Sequence, residues 1–111
     1  LYTDFFLDSL IKLLKTNQDQ YHTTMLYVSD HGESLGENGI YLHAMPYWIA
    51  PKVQTHIPFI LWQGGKDQSS MQVLAQKDKN EFSHDYLFHT LLGLFQVQTI
   101  EYDAHLDLFR K

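Results

Sequence analysis

The chain has 111 residues, of which 44% are hydrophobic and 14% aromatic, and this composition supports a hydrophobic core and excludes intrinsic disorder. Eight lysines and arginines stand against thirteen aspartates and glutamates, and the formal net charge of -5 argues against nucleic-acid binding, which requires a basic face. The chain has no cysteine, so it can form neither a disulfide framework nor a thiolate metal site.

The length predicts one domain or a part of one. No apolar stretch approaches the roughly eighteen residues that a membrane-spanning helix requires. The sequence opens inside an amphipathic pattern, with no initial Met and no signal peptide. We therefore expect the chain to be a segment of a longer protein.

A helix is predicted over residues 1–15, where apolar side chains recur at the spacing of one helical face. Asp8 and Lys12 lie four residues apart on the opposite side and predict an ion pair. The apolar stripe consists of Phe6, Leu10, Leu13 and Leu14, and it is widened by Leu7 and Ile11.

A strand buried on both faces is predicted from Thr23 to Val28, because the segment is β-branched and aromatic and shows no polar alternation. A helix followed by such a strand is typical of an α/β fold with a parallel sheet. Ligands bind such sheets at the carboxyl ends of their strands. Asp30 and His31 follow this strand directly and therefore lie where a ligand is expected.

Residues 32 to 56 are predicted to form a long functional loop, since glycines permit left-handed backbone and two prolines exclude a continuous helix. Beyond this loop, the pattern predicts five further elements. They are a buried strand from Ile57 to Trp62, a helix from about Met71 through Lys77, a helix from Ser83 to Phe95 with Ser83 as N-cap, a short edge strand from Gln96 to Ile100, and a weak helix or tail from Tyr102 to Lys111.

The adjacent Asp30 and His31 are candidate metal ligands. Consecutive residues inside a strand point to opposite faces, but this restriction is lifted where the chain leaves the sheet. A carboxylate oxygen and an imidazole nitrogen are ordinary zinc ligands at about 2.0–2.2 Å. The alternative is an aspartate that accepts backbone N–H groups in the turn at Gly32, beside an exposed histidine.

His43 lies twelve residues after His31, and the intervening glycines allow the loop to return it to the strand end. Its alternative is a surface histidine. Glu33 and Glu37 are either partners that orient a histidine or solvated charges, with Glu33 favoured for the site. His84 and Asp85 repeat the pairing at a helix start, where a cap and dipole role accounts for them.

The run from Tyr27 to His43, Tyr-Val-Ser-Asp-His-Gly-Glu-Ser-Leu-Gly-Glu-Asn-Gly-Ile-Tyr-Leu-His, and the later Ile-Pro-Phe-Ile-Leu-Trp closely resemble the periplasmic domain of the phosphoethanolamine transferases. Residues 1–7 and 83–93 fit as well, so the resemblance spans nearly the whole chain. These enzymes modify lipid A, and some confer polymyxin resistance. The resemblance implies an α/β fold, with residues 1–111 forming the C-terminal portion of a three-layer α/β/α alkaline phosphatase/sulfatase-like catalytic domain.

The resemblance also implies roles for individual residues. Asp30 and His31 would ligate the catalytic zinc, and His43 would serve a second zinc or the phosphate and ethanolamine part of the substrate. Glu33 would lie near that substrate pocket. The threonine nucleophile, a glutamate ligand, a further histidine and the membrane-spanning region would all lie upstream, so the chain would hold no catalytic nucleophile and would be inactive alone.

The implied reaction moves phosphoethanolamine from phosphatidylethanolamine to a lipid A phosphate through a phosphothreonine. It would take place on the periplasmic side of the bacterial inner membrane, in a monomer that makes its membrane contact through the upstream region. Two alternatives remain open. One is another member of the superfamily, such as a phosphoglycerol transferase, a phosphodiesterase or a sulfatase, and the other is a non-catalytic structural or metal-binding module.

Overall fold

The computed structural model of the chain describes residues 1–66, 69–77 and 80–110. The chain divides into two compact units, Leu1–Trp62 and Gln63–Lys111. In chain order, the described elements are helix α1 (Tyr2–Lys15), strands β1 (Thr24–Val28) and β2 (Ser34–Leu35), a 3-10 turn (Glu37–Gly39), strand β3 (Tyr41–Leu42), helix α2 (Lys52–Thr55), strand β4 (Phe59–Gln63), helices α3 (Ser69–Ala75) and α4 (Asp85–Leu94), and a second 3-10 turn (Ala104–Leu106).

Helix α1 confirms the prediction, including the ion pair in which Lys12 Nζ lies 2.7 Å from Asp8 Oδ2. The buried face differs from the predicted stripe. Leu7 is the buried residue of the helix, whereas Phe6 and Leu13 are 57% and 61% exposed. Apolar residues surround much of this helix, and their spacing alone cannot decide which of the overlapping stripes is packed.

Strands β1 and β4 confirm the two predicted strands and are hydrogen-bonded neighbours in one sheet. Only Met25 is buried within β1, and the other residues of this strand are half-buried. Complete burial on both faces is therefore not observed in the described part of the chain. The faces of a central strand are buried by layers packed above and below the sheet, and in the described part of the chain β1 is not covered completely on either face.

The long loop predicted over residues 32–56 contains short regular elements that the prediction did not include. Strands β2 and β3 pair antiparallel as a hairpin, with Ser34 opposite Leu42 and Leu35 opposite Tyr41. Helix α2 follows Pro51, which is its N-cap. Strands of two residues are too short to display the alternation by which a strand is recognised in a sequence.

In the second unit, helix α4 confirms the helix predicted from residue 83, but its N-cap is His84 and not Ser83. The Ser83 hydroxyl instead donates to Oδ2 of Asp85 at 2.8 Å. The edge strand predicted over residues 96–100 is wrong. Gln96 has a left-handed φ of 54°, and Val97 N donates to the carbonyl of Leu92, which together form a Schellman helix end.

The C-terminal segment, predicted from Tyr102 as a weak helix or a tail, forms turns, and Lys111 lies outside the described residues. Backbone N of Leu108 donates to the buried Thr90 hydroxyl of α4 at 3.1 Å. The Tyr102 hydroxyl donates to Oδ2 of the buried Asp107 at 2.6 Å, and this bond raises the pKa of Tyr102 because the carboxylate retains the phenolic proton. The bond to Thr90 attaches the segment to α4, and the bond between Tyr102 and Asp107 closes the segment on itself.

Candidate metal centre

The chain turns sharply directly after β1, and this turn carries Asp30 and His31. The Ser29 hydroxyl donates to the carbonyl of His31 at 2.8 Å, and backbone N of His31 donates to Oδ1 of Asp30 at 3.0 Å. The latter bond holds the pKa of the Asp30 carboxyl below its ordinary value. The aspartate is therefore ionised at neutral pH, and its second oxygen, Oδ2, remains available.

The imidazole of His31 is held in the form that binds a metal. Its Nδ1 lies 2.9 Å from the carbonyl oxygen of Gly32. A carbonyl can only accept, so Nδ1 carries the proton and Nε2 carries the lone pair. Nε2 lies 3.7 Å from Oδ2 of Asp30. Two ligands of one tetrahedral zinc ion are separated by about 3.4 Å, given metal–ligand distances near 2.1 Å, so the two atoms fit a shared ion.

The hairpin brings Glu33 and His43 together. Its register pairs Ser34 with Leu42, and one further step along both strands sets Glu33 opposite His43. Nδ1 of His43 lies 2.9 Å from Oε2 of Glu33. The carboxylate accepts the Nδ1 proton, which leaves Nε2 of His43 with its lone pair free to accept. This carboxylate–imidazole arrangement is the one that orients histidines in metal sites.

The hairpin turn depends on backbone that glycine provides. Gly36 and Gly39 have φ angles of 124° and 75°, and Oε2 of Glu37 accepts a hydrogen bond from Leu35 N at 2.8 Å. Glu37 therefore supports the turn locally. Of the two alternatives left open for Glu37, the structure assigns neither a histidine contact nor a free charge.

Three candidate residues converge. His31, Glu33 and His43 each offer one ligand atom, and these atoms lie within 4.8 Å of one another. The two imidazole rings stack, with centroids 3.9 Å apart and planes inclined by 26°. Asp30 lies outside this group but beside His31. Imidazole and carboxylate donors without a thiolate make up a set that suits zinc, and the side chains are between 40% and 45% exposed, so an ion could enter.

The backbone on both sides of His43 is left-handed. Leu42 has a φ of 68° and Ala44 a φ of 69°, and each such residue other than glycine costs about 1–2 kcal/mol. Strain of this kind persists only where the surroundings enforce it, and it is concentrated at functional sites. The sequence held no signal for it, because leucine and alanine do not favour this conformation.

Replacing Ala44 by glycine is expected to stabilise the full-length protein by up to about 1 kcal/mol, since glycine adopts positive φ without a steric penalty. Thermal unfolding measures the gain as a higher Tm. Ala50→Gly is the matched control, because Ala50 is absent from the residues with positive φ, and glycine there should lower Tm. If both variants lowered Tm equally, the left-handed backbone at Ala44 would be contradicted.

The remaining histidines serve local structure where their contacts are described. Nδ1 of His89 accepts a hydrogen bond from Asp103 N at 3.0 Å, and backbone N of His105 donates to Oδ1 of Asp103 at 2.8 Å. Asp85 accepts the Ser83 hydroxyl in the first turn of α4, where its negative charge suits the helix dipole, but α4 has no side-chain cap hydrogen bond. No additional group of three metal-ligating side chains occurs among the described residues.

No helix in the described ranges combines the length and apolar character that crossing a bilayer requires.

The sulfatase family matches residues 1–97 of the chain. Among curated proteins, the chain is 47% identical over 115 residues to a phosphoethanolamine transferase, EptA, of Salmonella typhimurium, an alignment that covers 99% of this chain and 21% of that protein.

Solved structures are also similar. The C-terminal periplasmic domain of phosphoethanolamine transferase EptC from Campylobacter jejuni matches with a TM-score of 0.90 and 51% identity, over 99% of this chain and 35% of that one. The integral membrane protein lipooligosaccharide phosphoethanolamine transferase A from Neisseria meningitidis matches with a TM-score of 0.83 and 46% identity, over 96% and 21%. The chain thus spans about a fifth of the length of the curated relatives that it matches.

Proposed function

This chain belongs to the sulfatase family, and we propose that it forms part of a zinc-dependent phosphoethanolamine transferase. The predicted α/β fold of alkaline phosphatase/sulfatase type is confirmed by the likeness to the solved periplasmic domain. The activity is proposed because proteins named for it are similar over nearly the whole chain. The observation that carries the proposal is the convergence of His31, Glu33 and His43 at one exposed strand end.

We further propose that residues 1–111 are the C-terminal portion of the catalytic domain. The similar solved domain is nearly three times as long as the part that this chain covers. Large apolar side chains also lie uncovered on the first unit. Phe5 and Phe6 of α1 are 68% and 57% exposed, and Ile60 of β4 is exposed as well. Packing layers supplied by the rest of the domain would bury such faces.

In the proposed centre, Asp30 and His31 hold the zinc ion. Asp30 contributes Oδ2, and His31 contributes Nε2, whose lone pair is freed by the bond between Nδ1 and the Gly32 carbonyl. A bound zinc ion would offset negative charge on the transferred phosphoryl group. Because Asp30 carries its negative charge at neutral pH, no deprotonation is required before an ion binds.

His43 and Glu33 are proposed to serve the substrate or a second zinc ion. Glu33 accepts the proton of His43 Nδ1 and thereby holds the ring with Nε2 free. In this form Nε2 can bind a second zinc ion, and in the protonated form it can donate to a phosphate oxygen. The Glu33 carboxylate carries a charge opposite to that of the ethanolamine ammonium group, which favours this substrate over an uncharged alcohol.

The substrates and location follow from the named relatives and are proposals for this protein. The donor is phosphatidylethanolamine and the acceptor a phosphate of lipid A or a related glycolipid, as the word lipooligosaccharide in one relative's name supports. The group passes through a phosphothreonine outside this chain. We propose that the protein acts as a monomer in the inner membrane and that its activity confers resistance to polymyxin. The relatives described as a periplasmic domain and as an integral membrane protein support a membrane location with the catalytic domain in the periplasm.

The test uses the purified full-length protein with phosphatidylethanolamine and lipid A, and mass spectrometry detects the modified acceptor. Removing metal with a chelator should abolish transfer, and zinc should restore it where magnesium does not, because imidazole ligands select zinc over magnesium. Undiminished transfer at zinc contents far below one ion per molecule would overturn the zinc dependence. Transfer from phosphatidylglycerol but not from phosphatidylethanolamine would assign the protein to the phosphoglycerol transferases, and no turnover of either lipid would favour a non-catalytic module.

A further inference from the structure

Gln54 has a long polar side chain that is only 6% exposed, and all of its described partners adjoin the candidate metal centre. It lies in helix α2, a short element with no predicted role. A carboxamide buried this deeply is costly unless its donors and acceptor are all bonded. The partners of Gln54 therefore define its function.

The side chain bonds to both strands of the hairpin. Nε2 donates to the Ser34 hydroxyl at 2.8 Å and to the carbonyl of Leu42 at 3.1 Å, and Oε1 accepts from backbone N of Met45 at 3.4 Å. Ser34 follows Glu33 directly, and Leu42 precedes His43. The carboxamide thus adjoins both members of the Glu33–His43 pair.

The backbone of the same residue reaches the other side of the centre. The carbonyl of Gln54 accepts a hydrogen bond from Gly32 N at 2.9 Å. Gly32 lies between His31 and Glu33, and its own carbonyl is the acceptor for Nδ1 of His31. One residue is therefore attached to the backbone next to all three members of the cluster.

The backbone strain in residues 42–44, which flank and include His43, supplies a second and independent observation. Leu42 and Ala44 are both left-handed, and such backbone persists only where its surroundings hold it. The carboxamide of Gln54 bonds the carbonyl of Leu42, at the start of this segment, and N of Met45, just past its end. It spans the strained residues that set the position of His43.

The chemistry of the site requires an amide. The Leu42 carbonyl can only accept and the Met45 N–H can only donate, so the side chain must offer a donor and an acceptor at once. Glutamine does so at every physiological pH. An ionised glutamate offers no donor and would bring a negative charge against the Leu42 carbonyl.

We propose that Gln54 is a positioning residue that holds His43 and Glu33 against His31, so that the cluster is preorganised for its metal and substrate. The claim that Gln54 matters for transfer rests on the proposed function, whereas the claim that Gln54 positions the cluster rests only on the observed contacts. It assigns helix α2 a role as a support placed behind the hairpin. Contacts that orient the residues of a metal site typically change metal affinity or activity by about 10–100-fold when they are removed.

The experiment compares Gln54→Met and Gln54→Glu in the full-length protein with Thr90→Val. Methionine preserves the length and much of the volume of glutamine but cannot form its hydrogen bonds. Thr90→Val is the matched control, because Thr90 is a fully buried polar residue that bonds to Leu108 N outside the centre. Zinc affinity is measured by chelator competition, stability by Tm, and transfer by kcat and KM.

Both Gln54 variants should lower kcat by about 10–100-fold and leave in place much of the zinc that Asp30 and His31 hold, whereas Thr90→Val should lower Tm and leave kcat unchanged. A crystal structure of metal-free Gln54→Met should show the distance from Nδ1 of His43 to Glu33 lengthened beyond hydrogen-bonding range. Wild-type kcat and an intact bond between His43 and Glu33 in Gln54→Met would overturn the proposal. The crystallographic distance decides the positioning role even if the wild-type protein neither binds zinc nor transfers phosphoethanolamine, so the two proposals fail separately.

Discussion

His31→Ala in the full-length protein is expected to remove the zinc ion and to reduce phosphoethanolamine transfer by on the order of a thousandfold. The variant deletes Nε2, the atom that lies 3.7 Å from Asp30 Oδ2 and has its lone pair free. A bound metal contributes several kcal/mol of charge stabilisation in the transition state, and each 1.36 kcal/mol is tenfold in rate. Elemental analysis measures the zinc content and mass spectrometry of the acceptor lipid measures transfer.

His56→Ala is the matched control, since His56 is an exposed histidine of the same unit and takes no part in the cluster. This variant should keep its zinc and its turnover. His43→Ala should behave differently from both, because it lowers transfer while leaving much of the ion held by Asp30 and His31. Full zinc content in His31→Ala would refute His31 as a ligand. Wild-type turnover in His43→Ala would show that His43 is an ordinary surface histidine without a role in transfer.

Gly32→Ala is expected to disrupt the centre and to destabilise the protein by roughly 1–3 kcal/mol or more, as overpacking does. A methyl group at this position would overlap the carbonyl oxygen of Val53 and lie 2.8 Å from its carbonyl carbon. The obstacle is backbone, and the hydrogen bond from Gly32 N to Gln54 O prevents the two segments from separating freely. Relief would shift the residues on either side of Gly32, which are His31 and Glu33.

Gly39→Ala is the control variant in which the added methyl group meets no neighbouring atom. Gly39 also lies in the hairpin region, but a methyl group there would have no atom within 4 Å, and its φ is 75°. The substitution should therefore cost only the left-handed backbone penalty of about 1–2 kcal/mol and leave zinc affinity intact. Thermal unfolding and chelator competition compare the two. Equal zinc affinity in Gly32→Ala and Gly39→Ala would contradict the close approach of Gly32 to α2.

The elements with long periodic patterns were predictable from the sequence. Helices α1 and α4 and strands β1 and β4 all occur within about two residues of their predicted bounds because each has enough residues to display its period. The hairpin was missed because β2 and β3 have two residues each. The supposed strand after α4 was wrong because Gln96 adopts a left-handed conformation that ends the helix, a conformation that glutamine does not signal.

For the candidate site, the sequence named Asp30, His31 and His43 and favoured Glu33 over Glu37, and the structure brings His31, Glu33 and His43 together. It did not identify the partner of each side chain. Glu33 meets His43 because of the hairpin register, and Glu37 supports the turn at Leu35 instead. The role proposed for Gln54 could not be predicted from the sequence, because a single glutamine near a proline belongs to no periodic pattern. Its burial in the folded chain is what draws attention to it.

The position of Asp30 and His31 after a strand and the family resemblance were both predictable, because they depend on the order of residues along the chain. Three features became visible only in the folded chain: Glu33 faces His43, His31 presents Nε2, and Gln54 bonds to backbone or side chains on both sides of the cluster. Most of these features are contacts between residues ten or more positions apart in the sequence. The orientation of the His31 ring depends instead on which of several nearby groups it bonds. Their free energies arise only when the register of the hairpin and the packing of α2 are both in place.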